Sequence, residues 1–275
     1  MTQQKIPTRD AAEAQRKIDA AITAMEKLIE DRVERKEPDL PLNVGLAYGG
    51  WMPSTALENA VNWYNFDYEN AISNAAVSGY MYGQTATGID MLVTDDRGYS
   101  HIFQKTIEPF NQKILLNKVV KTITTLNETR QRPASHISYR VDNADGSCYI
   151  GNHVLITFSS AVLASDDILF NPDLPSWKKQ AFALFPQAHY CKIYLKFAVD
   201  FWKDAEYIMA VSSNIDDYNL WLNLNRFKPG SNLLLGTLVG ERCFQSQKDT
   251  DAKVQEDAMR VLRKMFNDSI PDPTG

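Results

Sequence analysis

Apolar residues recur at steps of three and four from Asp10 to about Lys36, where Ile18, Ile22, Met25, Ile29 and Val33 share one face between glutamates and lysines. That period predicts an amphipathic helix. Asp10 can cap it, with Glu13 following, and Pro38 and Pro41 end it. Leu42 to Met52 is a short apolar stretch closed by Gly49, Gly50 and Pro53. Thr55 and Glu58 have the spacing of a capping box, so a second helix opens there and runs through Trp63 to Ala71. Gly79, Gly83 and Gly88 mark a loop, and a third helix is expected from Asp96 to about Phe110.

Beyond Phe110 the pattern changes to strands. Leu115 to Ile123 and Ser138 to Val141 read as strands, with a turn at Asp145-Gly146. His153 to Phe158 is nearly continuous in apolar residues, as in a strand covered on both faces. A helix starts at Ser176. Tyr190–Phe197, Tyr207–Ser212, Leu220–Asn223 and Leu233–Val239 follow as strands, and Asp251 to Phe266 as a last amphipathic helix. There are no internal repeats. In the stretch 190–197, Cys191, Ile193, Leu195 and Phe197 fall on one side, and Tyr190, Lys192, Tyr194 and Lys196 on the other. Lys192 between tyrosines is either a solvated strand lysine or a site lysine.

Composition narrows the picture. With 275 residues, 44% of them hydrophobic, the chain can bury a sizeable core. A net charge of -5 argues against nucleic acid as partner and suits a cationic ligand. Cys148, Cys191 and Cys243 lack metal-site spacing, and buried free thiols are expected rather than a disulfide. No apolar run approaches the roughly 20 residues of a membrane-spanning helix. The first residues are no signal peptide, so the compartment stays open between secreted and cytoplasmic. Asn127 and Asn267 open glycosylation sequons that matter only on a secreted chain. No Gly-x-Gly-x-x-Gly, Walker loop, Gly-x-Ser-x-Gly or His-Glu-x-x-His occurs, and His101, His136, His153 and His189 are scattered.

Ordered segments say more. Asp95-Asp96-Arg97-Gly98-Tyr99, Leu116-Asn117-Lys118-Val119-Val120, Trp177-Lys178, Tyr190 to Phe197, Phe201-Trp202 and Val261 to Phe266 come in that sequence. Together with Trp63 to Glu69, the string resembles the flavin-containing amine oxidases, most of all the plant-type polyamine oxidases. The resemblance covers roughly Asp39 to Thr274. It implies an α+β fold of helices and mixed β-sheet: the substrate-binding domain of the amine oxidase fold beside an incomplete FAD-binding domain. The implied division is 1–94, helical substrate domain; 95–175, remnant of the FAD domain; and 176–275, sheet and helix of the substrate domain.

The resemblance also assigns roles. Lys192 falls where the family has the lysine that holds a water against the flavin. Tyr190 matches an aromatic of the substrate tunnel, Glu69 an acidic tunnel residue, and Val120 a valine whose backbone meets the adenine. The family's glycine-rich βαβ unit and its closing flavin segment have no counterpart here. The segment Phe158 to Leu163 lacks the family's Pro-Leu-Gly turn, and His189 and Cys191 are types the family does not require. The family implies FAD-dependent oxidation of amines or polyamines with peroxide release. For this chain alone the expectation is no stable FAD binding and no oxidase activity, with a second chain or an oligomer covering exposed core. Met1 and the helix after it read as a true start, and the end at Gly275 as a truncation. The alternative is a non-catalytic binding protein that kept the substrate-domain fold without the flavin.

Overall fold

The computed structural model describes residues 7–82, 92–126, 138–185, 187–202, 204–212 and 217–275. Gly83, Gly88, Asn127 and His136 lie outside them. The chain divides into two compact units, one made of 1–94 with 188–275, the other of 95–187.

The first unit opens with α1 (Thr8–Glu34), whose Ile18, Ala21, Met25 and Ile29 are buried. The capping residue is Pro7, with no side-chain cap, where the sequence pointed to Asp10; Asp10 lies in the first turn instead. α2 (Leu42–Tyr48) packs against α1 in one core with Trp51 and Phe66. The approach is close at Gly49, where a Cβ would meet the Ala21 carbonyl oxygen at 2.5 Å. α3 (Ala56–Asn62) starts with the expected capping box: Thr55 accepts from the Glu58 N–H, and Glu58 accepts from the Thr55 N–H. The helix passes through a π turn (Trp63–Asp67) into α4 (Tyr68–Asn70), and Ala71 ends it in the left-handed region. Gly79 is not loop but the start of α5 (Gly79–Tyr82).

In the second unit the expected helix 96–110 is a broken series. It runs through a 3-10 turn (Tyr99–Phe103), α6 (Gln104–Ile107) and a second 3-10 turn (Glu108–Lys113). Its apolar residues join no buried cluster among the described residues: Tyr99, Ile102, Phe103, Ile107 and Phe110 are exposed, with Tyr99 and Phe103 meeting edge to face. β1 (Val120–Leu126) begins later than expected, and Leu115, Leu116 and Val119 are exposed ahead of it. β2 (Ser138–Asn143) and β3 (Cys148–Gly151) extend it antiparallel. The apolar run His153–Phe158 forms no strand, and Leu155 is 89% exposed. Hydrophobic character makes a strand only where a neighbour supplies the ladder, and no described strand pairs with it. α7 (Ser160–Ala164) is capped by the Ser159 hydroxyl, β4 (Leu169–Asn171) joins β1 in parallel, and α8 (Ser176–Ala183) follows. The sheet order is β3-β2-β1-β4, a mixed sheet.

Back in the first unit come β5 (Tyr190–Lys196), β6 (Tyr207–Met209), β7 (Leu220–Asn223) and β8 (Leu233–Val239). They form an antiparallel sheet in the order β5-β8-β7-β6. α9 (Gly240–Ser246) and α10 (Asp251–Phe266) complete the chain's helices. One sheet face carries Ile193, Leu195, Trp221, Leu234 and Leu238 and packs with Ala258, Met259 and Leu262 of α10. Gly236 on β8 leaves room for the Trp221 ring, which a Cβ there would meet at 2.9 Å. The other face packs Leu220 and Val239 against Trp63 and Ala71 of the π-turn helix.

The expectation of three free, buried thiols is corrected. Cys191 and Cys243 form a disulfide between β5 and α9, and only Cys148 is free, and it is exposed. The two sulfurs meet because β5 turns Cys191 inward, toward the helix that follows β8, a proximity no linear spacing reveals. No described helix is long and apolar enough to cross a membrane.

Candidate functional site

Lys192 stands mid-strand on β5, on the face shared with the π-turn helix, and pairs in register with Thr237 of β8. Its ammonium donates to Thr237 Oγ1 at 3.1 Å and to Tyr190 Oη at 3.3 Å. The same nitrogen lies 4.4 Å from the Tyr190 ring centroid and 5.7 Å from that of Tyr68. Tyr68 and Tyr190 are themselves 5.7 Å apart, and Tyr64 stacks on Tyr68 at 5.7 Å with planes 8° apart. A lysine thus sits in a corner of aromatic faces and hydroxyls, where its own ammonium is held by cation–π contact.

The residue as a whole is exposed, and its ammonium is partly desolvated. Desolvation lowers the Lys192 pKa from the ordinary lysine value, since burial disfavours the charged form. Tyr190 is pushed in the opposite direction, upward, first by desolvation and then by the Tyr68 hydroxyl beside it. Tyr207, on the outermost strand β6, is raised to about 12 by desolvation and by Tyr68 and Tyr64. Desolvation therefore acts on Lys192 and on these two tyrosines in the same sense, against the charged form of each.

The sequence reading named Lys192, Tyr190, Glu69 and Val120. The first two are in direct contact, and Glu69 lies on α4 next to Tyr68, exposed, close enough to raise Tyr190 electrostatically. Val120 opens β1 in the other unit. Reasoning from sequence missed Tyr68, Tyr64, Thr237 and Tyr207. Tyr68 and Tyr64 were inside a recognised segment, but their bearing depends on the π turn. Thr237 is found only through the β5–β8 register. Among the described residues no group of three or more His, Cys, Asp or Glu could hold a metal.

The comparison with known proteins follows this geometry. The family model for flavin containing amine oxidoreductases matches residues 31–275. The chain belongs to the flavin-containing amine oxidoreductase family. Polyamine oxidase 1 of Zea mays is 32% identical over 242 residues, covering 81% of this chain and 47% of that protein. Polyamine oxidase 6 of Oryza sativa subsp. japonica is 30% identical over 241 residues, again 81% and 47%. The chain thus spans about half the length of the curated relatives it matches. A redesigned putrescine oxidase superposes with a TM-score of 0.73 at 10% identity, covering 100% of this chain and 62% of that one. A cyclohexylamine oxidase from Brevibacterium oxydans gives 0.57 at 17% identity, covering 82% and 50%. At such identities these likenesses show the fold: helices and mixed sheets of the amine oxidoreductases.

Intact members of this amine oxidoreductase family carry FAD. The sequence of this chain holds no glycine-rich turn leading into a helix to receive that group's pyrophosphate. The residues present do not by themselves make a flavin cradle.

Proposed function

We propose that this chain carries the amine-recognition part of a polyamine oxidase-like site, and that alone it binds cationic amines without oxidising them. The observation that carries the reading is the Lys192 ammonium held against Tyr190 and Tyr68 and hydrogen-bonded to Thr237. Tyr190, Tyr68 and the neighbouring Glu69 offer ring faces and a carboxylate to a polyamine ammonium. Lys192, with its lowered pKa, is suited to relay a proton or polarise a water. Within a complete flavin site the same residues would serve FAD-dependent oxidation of a primary or secondary amine with release of peroxide. Val120 would then lie along the adenosine part of the cofactor.

A second reading is supported by the other unit. Leu115, Leu116, Ile102, Phe103 and Phe110 are all exposed there, and apolar surface of this kind, where it is contiguous, marks an interaction face. A non-catalytic binding protein, or one whose second chain or second copy covers that surface, would use the same fold without a flavin. An absorbance spectrum of the purified chain, followed by a peroxide assay with spermidine or spermine, decides. We expect no flavin bands and no peroxide. A yellow protein or turnover by this chain alone would overturn the proposal that it is inactive and would eliminate the non-catalytic reading.

A further inference from the structure

The helix that brings Tyr68 to Lys192 is not a regular α-helix. Between α3 and α4 the Tyr68 N–H donates to the Trp63 carbonyl, five residues back, so Trp63–Asp67 is a single π turn. Such turns are rare, weaken the helical ladder where they enter and leave it, and recur at functional sites. Here two asparagine side chains stand at those places. Asn65 Nδ2 donates to the Val61 carbonyl at 2.8 Å, and Asn70 Nδ2 to the Phe66 carbonyl at 2.8 Å. Each spans four residues, the reach of an α-helical hydrogen bond, and ties a side chain back onto the preceding turn. Asn65 also exchanges hydrogen bonds with Gln15 of α1, at 3.3 Å in both directions.

We propose that Asn65 is a positioning residue for the amine site: its hydrogen bond to the Val61 carbonyl holds the π turn open, and the π turn aims Tyr68 at the Lys192 ammonium. The argument is one of rotation. An α-helix advances about 100° per residue, and the π turn holds one residue more than an α turn. If Trp63–Asp67 relaxed to α-helix, everything after it would swing by roughly a quarter turn. Trp63 on the near side is buried against Leu220 and Val239 and would stay. Tyr68 would leave its place 5.7 Å from Tyr190 and from the lysine nitrogen, and Glu69 would move with it.

The inference rests on the amine-site reading only for its consequence, and the test separates the two. In a carbon–proton correlation spectrum of the full chain, the Lys192 ε-methylene is expected far upfield of the other lysines, because two rings face it. Lys192→Arg identifies the signal. Asn65→Asp removes the donor and keeps the shape, and should move the signal toward that of a free lysine. Asn65→Ser, whose hydroxyl can bond the carbonyl four residues back, should restore most of the shift. Gln15→Ala, which removes the Asn65 tie to α1 and a bond to Asp19 within α1, should leave it in place. If Asn65→Asp does not fold, Asn65→Ala removes the donor without adding charge and is read the same way. Spermidine binding should weaken about three- to tenfold in the Asp variant and recover in the Ser variant. An unmoved signal in Asn65→Asp overturns the proposal, as does a signal lost equally in Asn65→Ser or Gln15→Ala. A chain that never binds spermidine but shows the expected signals would instead refute the amine reading and leave the positioning role standing.

Discussion

The two units make opposite use of similar apolar content. In the unit formed by 1–94 and 188–275, apolar residues interlock into three buried clusters, with Trp63, Trp221, Tyr218, Phe66 and Phe197 fully enclosed. In 95–187 the described residues bury only Ile123 and Ile168 among the hydrophobics, while Phe103, Phe110, Leu116, Leu155 and Trp177 face outward. Both units contain a four-stranded sheet, so strand content is not what separates them. The separating factor is cover. The antiparallel sheet has α10 on one face and the π-turn helix on the other. A helix of 16 residues with Ala258, Met259, Val261 and Leu262 inward supplies a complete second layer. A site whose side chains must be held in place belongs on the covered sheet, and that is where Lys192 lies.

The contrast makes graded predictions. Trp221→Ala, at the fully buried centre of the covered sheet, should cost about 3–5 kcal/mol in urea unfolding. Ile123→Ala in the other unit should cost about 2 kcal/mol, the low end for such changes, because its surroundings can collapse. Equal losses would show that the sparse unit is as well packed as the dense one. Cys243→Ser opens the Cys191–Cys243 link, which closes a segment of 52 residues, and should remove about 2–4 kcal/mol. Reductant should produce the same loss in the parent chain and none in the variant.

Smaller effects test local devices. Thr55→Ala removes the hydroxyl that caps α3 and should cost about 1 kcal/mol. The Glu58 carboxyl, accepting from the Ser54 and Thr55 backbone, has its pKa lowered to about 2. A depressed carboxylate adds stability above its unfolded pKa and loses it as pH falls toward the folded one. Glu58→Gln should therefore flatten part of the stability loss between about pH 4.5 and 2, and leave the slope near neutrality unchanged. Lys192 has the reverse sign for a base. Its lowered pKa means the charged form is a burden in the folded state below that pKa, relieved as pH rises toward the ordinary 10.5. Lys192→Met should thus stabilise at pH 7 by less than about 1 kcal/mol, since the lysine is partly solvated, and the gain should vanish in strong alkali.

Much of the covered unit was legible in the sequence. The 3.6 period of α1 and α10, the Thr55–Glu58 box and the alternation along β5 each reflect a local pattern with a matching partner. Where the sequence misled, the partner was missing or remote. His153–Phe158 has strand chemistry and no described ladder; 96–110 has helix chemistry and joins no buried cluster among the described residues. Of the candidate site, Lys192 and Tyr190 were named through the family resemblance, the alternation along the strand alone leaving Lys192 open between a solvated and a site lysine. Tyr68, Thr237 and Tyr207 were not, because the first depends on a five-residue turn and the others on strand register. The Cys191–Cys243 link escaped for the same reason.

The claim at the centre of this account is that the first unit holds a site for cationic amines built around Lys192, Tyr190 and Tyr68. Calorimetric titration of spermidine into the purified 275-residue chain tests it most directly. The account predicts a saturable heat with one amine per chain, weakened by added salt and reduced in Tyr190→Ala. No saturable heat at millimolar spermidine, or an unchanged isotherm in Tyr190→Ala, would contradict it.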